Sequence, residues 1–212
     1  RISREGSGLS EALETPVTSH PMASGSFAHA SVAPCWPSLK RGLPPCPDLE
    51  RQVEALLATL SLREKVGQMI QAEIRSVTPE QVQEYRLGSI LSGGGAFPGN
   101  DKHASVEAWQ ALADAHYEAS VAPRAGGPAI PVLWGVDAVH GHNNLFGATL
   151  FPHNIGLGAA RDGDLLEAIA AATARELLAT GVDWNFAPTV AVVRDDLWGR
   201  SYEGYAEDPA LV

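Results

Sequence analysis

The chain has 212 residues, of which 45% are hydrophobic, so it can form a core as one domain or as part of a larger one. Its 25 acidic residues outnumber its 15 lysines and arginines, which gives a net charge of −10. This acidic excess argues against nucleic acid as a partner, because binding a phosphate backbone requires a basic surface. No apolar run reaches the roughly 20 residues that cross a bilayer, so we predict no membrane span.

Residues 1–47 are rich in Ser, Ala, Gly and Pro, and we expect them to form a flexible, irregular leader. They contain no continuous apolar stretch like the centre of a signal peptide. The first residue is Arg1 and not methionine, which suggests that the beginning is missing or processed. The only cysteines, Cys35 and Cys46, could pair in an oxidising compartment or stay free, and the sequence leaves both possibilities open.

Capping and periodicity signals divide the chain after residue 47 into alternating helices and strands. Helices are predicted to start at Asp48, at Ser61 with Glu64 and at Thr78 with Gln81, and to span Ser105–Ala119 and Asp164–Thr180. Strand-like runs are Ser89–Leu91, Ile130–Val136 and Val182–Ala187, and Asp208 with Pro209 is expected to open one more helix. This alternation predicts an α/β fold in which helices cover a parallel sheet. Periodicity alone does not separate an open sheet from a closed (β/α)8 barrel.

Polar and aromatic residues crowd the ends of two of these strands. Asp137 heads the first group, which runs to Asn144, and the second group runs from Arg194 to Tyr205. In βαβ units, ligand-handling residues gather where parallel strands end. Carboxylates, guanidinium groups and indoles placed together suit a polyhydroxylated ligand better than an apolar one. The pattern therefore predicts a sugar site.

The same residues resemble glycoside hydrolase family 3, of the bacterial exo-acting 1,4-β-glucosidase or β-D-glucan glucohydrolase type. The matching motifs, in family order, are Glu64–Met69, Gly93–Gly95, Asp137–Asn144, Gly147–Gly158, Ala174–Glu176, Phe186–Thr189 and Trp198–Tyr205. The resemblance spans about residues 49–212. It implies that residues 48–212 belong to the family's N-terminal domain, a (β/α)8 TIM-like barrel. A whole barrel needs roughly 250 residues, so we expect an incomplete, N-terminal part of one.

The resemblance also implies an activity: a retaining β-glucosidase, without a cofactor, that releases glucose from the non-reducing ends of β-glucans or β-glucoside oligosaccharides. It implies that Asp137 and Arg200 bind the terminal glucose. A carboxylate accepts hydrogen bonds from two neighbouring hydroxyls, and a guanidinium group offers five fixed donors. Residues expected to support these two or to hold local structure are His140, Arg194, Asp195 and Glu203. Ion pairs and turn hydrogen bonds are expected within the loop that holds Arg194 and Asp195.

Glycoside hydrolysis requires two carboxylates, which a retaining enzyme holds about 5–5.5 Å apart. In the resembled family the nucleophilic aspartate lies in a later strand-end motif, and the general acid/base lies further downstream. Both are therefore expected beyond Val212, and no carboxylate of this sequence, Asp137 included, is predicted to be catalytic. The 212-residue fragment alone is expected to be inactive.

Two alternatives remain open at this point. His140 and His142 form an H-x-H pattern, which some metal-dependent amidohydrolase barrels place at a strand end to hold a divalent metal. The resemblance implies instead that His140 is structural and that no metal is bound. The second alternative is a non-catalytic carbohydrate-binding relative. A periplasmic or secreted parent protein is favoured, because polymeric β-glucans occur outside the cytoplasm.

Overall fold

The computed structural model of the protein describes residues 46–123 and 127–212. In chain order its elements are α1 (Pro47–Thr59), α2 (Leu62–Gln68), β1 (Gln71–Glu73), α3 (Pro79–Tyr85), β2 (Ser89–Ser92), a 3-10 helix (Pro98–Asn100), α4 (Val106–Val121), β3 (Leu133–Val136), α5 (Asn154–Ala160), α6 (Gly163–Ala179), β4 (Trp184–Asn185) and a second 3-10 helix (Ser201–Glu203). Nearly all of the expected leader, and Cys35 with it, lies outside the described residues. Pro47 already belongs to α1, and Cys46 is exposed.

Local capping explains where the first helices begin. Ser61 and Glu64 form a reciprocal capping box at the start of α2, and Thr78 and Gln81 form another at the start of α3, as predicted. The prediction that Asp48 caps α1 is wrong. The helix begins one residue earlier, at Pro47, because proline has no N–H to donate and its fixed φ suits the first helical position.

The four described strands form one parallel sheet in the order β1-β2-β3-β4. Each strand therefore adds next to the one before it, which is how the strands of a (β/α)8 barrel succeed one another. Ile90 of β2 lies opposite Trp134 of β3, and Val136 of β3 lies opposite Asn185 of β4. The predicted α/β fold with a parallel sheet is confirmed.

One face of the sheet carries the larger core. Ile90 and Trp134 are almost fully buried there against Trp109 of α4, and the two indole rings lie 5.8 Å apart. The Nε1–H group of Trp134 donates to Ser92 Oγ at 2.8 Å, so the buried indole is satisfied. Side chains alternate along a strand, so Leu133 faces the other side, where it is exposed within the described structure.

No residue of α1 is buried, and its apolar residues Leu49, Val53, Leu56 and Leu57 are exposed. At the other end of the described chain, a predicted helix is not present. Asp208 accepts hydrogen bonds from the N–H groups of Leu211 and Val212, so a turn forms where a helix was expected. Among the described residues, no helix is both long enough and apolar enough to cross a bilayer.

Candidate functional site

Asp137 directly follows β3 at the carboxyl edge of the sheet, and it is exposed. The residues on both sides of it are fixed to the neighbouring strand. Val136 O accepts a hydrogen bond from the Phe186 N–H group at 2.9 Å. The Asn185 carboxamide accepts from Ala138 N and donates to Ala138 O, both at 3.0 Å. The backbone that carries the Asp137 carboxylate is therefore held in place on either side.

Arg200 lies in the loop after β4, just before the second 3-10 helix, and it is paired with Glu203. Its Nε group donates to both carboxylate oxygens of Glu203 at 3.0 Å, and its Nη2 group donates to one of them at 2.7 Å. These bonds leave the Nη1 group of the guanidinium unengaged by Glu203. The Arg200 side chain is 67% exposed, so Nη1 can reach a ligand in solution.

Asp137 follows β3 and Arg200 follows the neighbouring parallel strand β4, so both lie at the carboxyl edge of the sheet. Hydrogen bonding and charge from Glu203 raise the pKa of Arg200, and the Asp137 carboxylate contributes to the same rise. The hydrogen bond from Arg200 lowers the pKa of Glu203. The Arg200 guanidinium therefore lies against the Glu203 carboxylate, and Asp137 adds a smaller favourable charge interaction. Such an arrangement can donate to some hydroxyl groups of a ligand and accept from others.

Glu203 is itself anchored through its backbone. Asn154 at the start of α5 donates from Nδ2 to Glu203 O at 2.9 Å and to Thr189 Oγ1 at 2.8 Å. Thr189 Oγ1 in turn donates to Glu203 O at 2.6 Å. Asn154 is fully buried, so these bonds are shielded from water. Arg200 is thus connected, through Glu203, to α5 and to the segment that leaves β4.

A row of rings borders this group. The rings of His140 and His153 lie 4.4 Å apart, and His153 contacts Tyr202 edge-on at 4.6 Å. His140 donates from Nδ1 to Phe151 O at 2.8 Å, because a carbonyl oxygen can only accept. Burial and the nearby His140 lower the pKa of His153, whose Nδ1 accepts from the Asn154 N–H group. Through these contacts His140 and His153 connect the loop after β3 to the start of α5 and to Tyr202, at the border of the site.

His142 lies apart from the site, fully buried in the core with its ring 5.6 Å from that of Trp109. Thr180 uses its hydroxyl hydrogen to bond Leu177 O at 2.8 Å, so His142 Nε2 must donate to Thr180 Oγ1 at 2.9 Å. The unprotonated Nδ1 atom is buried and finds no partner within the described chain. Burial lowers the pKa of His142 to about 4, which keeps the ring neutral.

The H-x-H pair therefore does not act as a pair. His140 binds a backbone carbonyl at the site, whereas His142 packs inside the core. Among residues 46–123 and 127–212, no group of three or more His, Cys, Asp or Glu side chains is arranged to hold a metal ion. The metal-dependent alternative gains no support from this geometry.

The loop after β4 contains the remaining predicted support residues, Arg194 and Asp195. Asp195 organises a turn: its carboxylate accepts from Leu197 N at 2.9 Å, and its carbonyl accepts from the N–H group of Trp198. Arg194 is exposed and forms no ion pair with any residue of the described ranges. The ion pair expected for Arg194 is therefore not observed there.

Several residues that hold the site were not singled out from the sequence. They are Asn154, Thr189 and Asn185, together with Glu176, whose carboxylate accepts from Thr149 N at 3.2 Å and ties α6 to the loop after β3. Three of them lie within motifs that match the resembled family. Membership in these motifs was the only feature of the sequence that could have identified them, because their hydrogen-bond partners are between 14 and 49 residues away in the chain.

The parallel sheet defines an α/β protein, and the exposed carboxylate and guanidinium at its carboxyl edge are placed where barrel enzymes bind their ligands. The comparisons with known proteins are more specific. The chain belongs to glycosyl hydrolase family 3: the model of the Glycosyl hydrolase family 3 N terminal domain matches residues 61–212.

Individual relatives agree with this family. The structure is similar to the crystal structure of an exo-1,3/1,4-beta-glucanase from a Pseudoalteromonas species, at 55% identity and a TM-score of 0.75, over 80% of this chain and 21% of that one. The lysosomal beta glucosidase of Dictyostelium discoideum is 33% identical over 172 residues, which cover 74% of this chain and 21% of the relative. A beta-glucosidase of Rhizobium radiobacter is 36% identical over 115 residues, or 52% of this chain and 14% of the relative.

The matches confirm the prediction that the chain is the N-terminal part of a (β/α)8 barrel, to which the described residues contribute β1 to β4 in order. They give no support to a metal-dependent amidohydrolase. The chain spans about 21% of the length of the exo-beta-glucanase structure and about 21% of the length of the lysosomal beta glucosidase.

Proposed function

We propose that this chain forms one wall of the glucose site of a retaining exo-acting β-glucosidase, which releases glucose from the non-reducing ends of β-glucans or β-glucoside oligosaccharides. Asp137 directly follows β3, and Arg200 lies in the loop after the neighbouring parallel strand β4; this placement at the carboxyl edge of the sheet is the observation that carries the proposal. Relatives named beta glucosidase and exo-beta-glucanase support it. In this proposal residues 48–212 are the first part of the barrel domain.

The chemistry of the two side chains suits binding. Asp137 offers two acceptor oxygens to neighbouring hydroxyl groups of a sugar, and Arg200 offers the N–H groups that Glu203 leaves unengaged. Each hydroxyl of a pyranose ring can both donate and accept, so a carboxylate beside a guanidinium can satisfy two or more of them together. Because the guanidinium is held by Glu203, little side-chain freedom is lost when a sugar binds.

The residues that cleave the glycosidic bond are assigned to regions outside this chain. A retaining glycosidase needs a nucleophilic carboxylate and a second carboxyl group that is protonated when the leaving group departs. Arg200 lowers the pKa of Glu203, which is the opposite of what a proton donor requires. We therefore assign Asp137, Arg200 and Glu203 to the binding site, and we assign the catalytic pair to the regions by which the relatives extend beyond this match.

The test uses the protein in its full natural length. Hydrolysis of an aryl β-D-glucoside is followed by proton NMR, and we expect β-D-glucose to form first, because a covalent intermediate retains the configuration. The variant Arg200→Lys should lower kcat/KM roughly tenfold or more, since an ammonium group cannot hold Glu203 and a sugar in the same fork geometry.

A matched control is Arg51→Lys. Arg51 also pairs with a carboxylate three residues away, Asp48, but it lies on the exposed helix α1. Its replacement should leave kcat/KM unchanged. Initial release of α-D-glucose, or unchanged kinetics in Arg200→Lys, would refute the proposal.

A further inference from the structure

Next to Asp137, the side chain of Asn185 makes the hydrogen bonds that a longer strand β4 would make with its backbone. The strand β4 has only two residues, and its ladder with β3 ends at the pair Val136 and Asn185. One residue beyond the site residue, the backbone of Ala138 no longer has a strand to pair with. The Asn185 carboxamide takes that place, accepting from Ala138 N and donating to Ala138 O at 3.0 Å each.

Only a carboxamide of this length satisfies both bonds. Ala138 is 1% exposed, so its N–H and C=O groups have no access to water. The amide has one acceptor side and one donor side, as a peptide group has, and the two bonds allow only one orientation of Asn185. A carboxylate at this position could accept from Ala138 N but would face Ala138 O without a hydrogen to donate.

The two neighbours of Asp137, Val136 and Ala138, are both hydrogen-bonded to residues 185–186 at the end of β4. On one side Val136 O accepts from Phe186 N, and on the other side Asn185 holds Ala138. The peptide groups that flank Asp137 therefore cannot rotate independently. These hydrogen bonds on either side of Asp137 set the direction in which its side chain leaves the backbone; within the described residues, no hydrogen bond of its own carboxylate does so.

We propose that Asn185 is a positioning residue. By hydrogen bonding to both the N–H and the C=O group of Ala138, it fixes the direction in which the neighbouring Asp137 carboxylate points toward the bound sugar. This inference rests on the proposed function, because it requires that Asp137 bind the substrate. In full-length protein, Asn185→Ser should lower kcat/KM for an aryl β-D-glucoside tenfold or more, and it should weaken the affinity for D-glucose by a similar factor.

A double-mutant cycle separates positioning from a general structural role. Asp137→Asn keeps the shape of the side chain but removes the ionised acceptor, so orientation of residue 137 then matters less. In the Asp137→Asn background, Asn185→Ser should lower kcat/KM less than threefold. The cycle is measured in parallel on D-glucose affinity by calorimetry, so that it does not depend on turnover alone. Asn185→Thr, with a β-branched side chain suited to a strand, repeats the cycle if the serine variant does not fold.

Gln110 provides a matched control. Its carboxamide also donates to a distant backbone carbonyl, Ala179 O at 2.8 Å, but it is exposed on α4 and does not contact the site. Gln110→Ser should leave kcat/KM and D-glucose affinity unchanged in both backgrounds.

Three results would overturn the assignment in distinguishable ways. An equal fold loss from Asn185→Ser in both backgrounds would show that Asn185 acts only on stability. Wild-type kinetics and D-glucose affinity in Asn185→Ser would show that the hydrogen bonds between Asn185 and Ala138 are dispensable. Wild-type kinetics in Asp137→Asn would refute the proposed sugar site itself, and the positioning role with it.

Discussion

Arg200 and Glu203 are joined by three hydrogen bonds, although the Arg200 side chain is 67% exposed and that of Glu203 only 20%. An exposed ion pair contributes little to the stability of a protein, because water and salt screen it. The pair does, however, hold the planar guanidinium in one orientation. Its main effect should therefore appear in ligand binding and not in the free energy of unfolding.

Replacing Glu203 by glutamine should separate these two effects. The neutral amide keeps the size of the side chain but loses the charge that holds Arg200, so we expect kcat/KM to fall roughly tenfold. The melting temperature should change little. The comparison variant is Asp48→Asn, which breaks the similarly spaced ion pair to Arg51 on α1 and should alter neither quantity. A large loss of melting temperature in Glu203→Gln, with normal kinetics, would contradict the role assigned to the pair.

The same pair predicts a direction for the pH dependence. The pKa of Glu203 is lowered in the folded protein, so the ionised pair is complete above the ordinary glutamate range and is lost as the pH falls through the lowered pKa. Glucose affinity should therefore decline at acidic pH less steeply in Glu203→Gln than in the wild type. Calorimetric titrations at a series of pH values would measure the difference, and parallel profiles would contradict it.

Removing either of the two side chains that are proposed to bind the sugar should impair turnover. Asp137→Ala and Arg200→Ala should each lower kcat/KM roughly tenfold to hundredfold, the usual effect of losing a charged hydrogen-bond partner. Both residues are exposed, so the fold should remain intact. Steady-state kinetics and thermal melting together provide the check. Wild-type kinetics in both variants would remove these residues from the site.

His142 should make the folded state less stable in mild acid. Its pKa is lowered to about 4 by burial, whereas the unfolded chain takes up the proton near pH 6.5. The stabilisation is therefore fully present above pH 6.5 and is lost as the pH falls toward 4. Between pH 7 and pH 5 this amounts to roughly 2 kcal/mol. His142→Gln should flatten that part of the stability curve.

The control for His142 is Thr173→Val, which changes another buried polar residue, hydrogen-bonded to Ile169 O, but removes no titrating group. It should lower stability at every pH while keeping the slope of the wild type. Hydrogen exchange of the α6 amides would report local stability even in a longer protein. Identical slopes in wild type and His142→Gln would show that His142 does not govern the acid response.

Removal of metal ions should leave activity unchanged. The two histidines of the H-x-H pattern are engaged separately, His140 by Phe151 O and His142 by Thr180 Oγ1. Dialysis against a chelator, followed by assay with an aryl β-glucoside, tests this expectation. Activity that is lost on chelation and restored by a divalent metal would favour the metal-dependent alternative.

The 212-residue chain expressed by itself should show no β-glucosidase activity and should aggregate. In the described sheet β1 and β4 are edge strands, and Leu133 and Trp184 are 49% and 43% exposed. Exposed edges and apolar side chains of this kind favour association between chains. Light scattering, melting and an aryl β-glucoside assay would test both parts. A monomer that melts cooperatively, or measurable turnover, would contradict this expectation.

The sequence was sufficient for the α/β class, for two capping boxes and for the position of Asp137 directly after a strand. It was insufficient for β1, because Gln71–Glu73 is short and two of its three residues are polar. The helix α5 was missed because its two glycines lower helix propensity. One of them has a packing reason: a Cβ atom on Gly158 would lie 1.7 Å from Tyr205 O.

The supports of the site could not be found from sequence for a different reason. An asparagine inside a strand-like run, such as Asn185, carries no local pattern that identifies its hydrogen-bond partner. Its partner, Ala138, is 47 residues away, and only the parallel pairing of β3 and β4 brings the two together. Long-range pairing of this kind depends on the whole sheet, whereas a capping box is contained in four residues.

Asn185 and Thr189 are four positions apart on one segment, and between them they hold the backbone next to Asp137 and the backbone of Glu203. If Asp137 and Arg200 bind the sugar as proposed, we expect the length of this segment to set the width of the site between them. The loops that carry Asp137 and Arg200 can change in length without altering that width, as long as both anchors remain. A single residue inserted between Asn185 and Thr189 would instead move one anchor relative to the other, so insertions should be tolerated in the two loops and not in this segment.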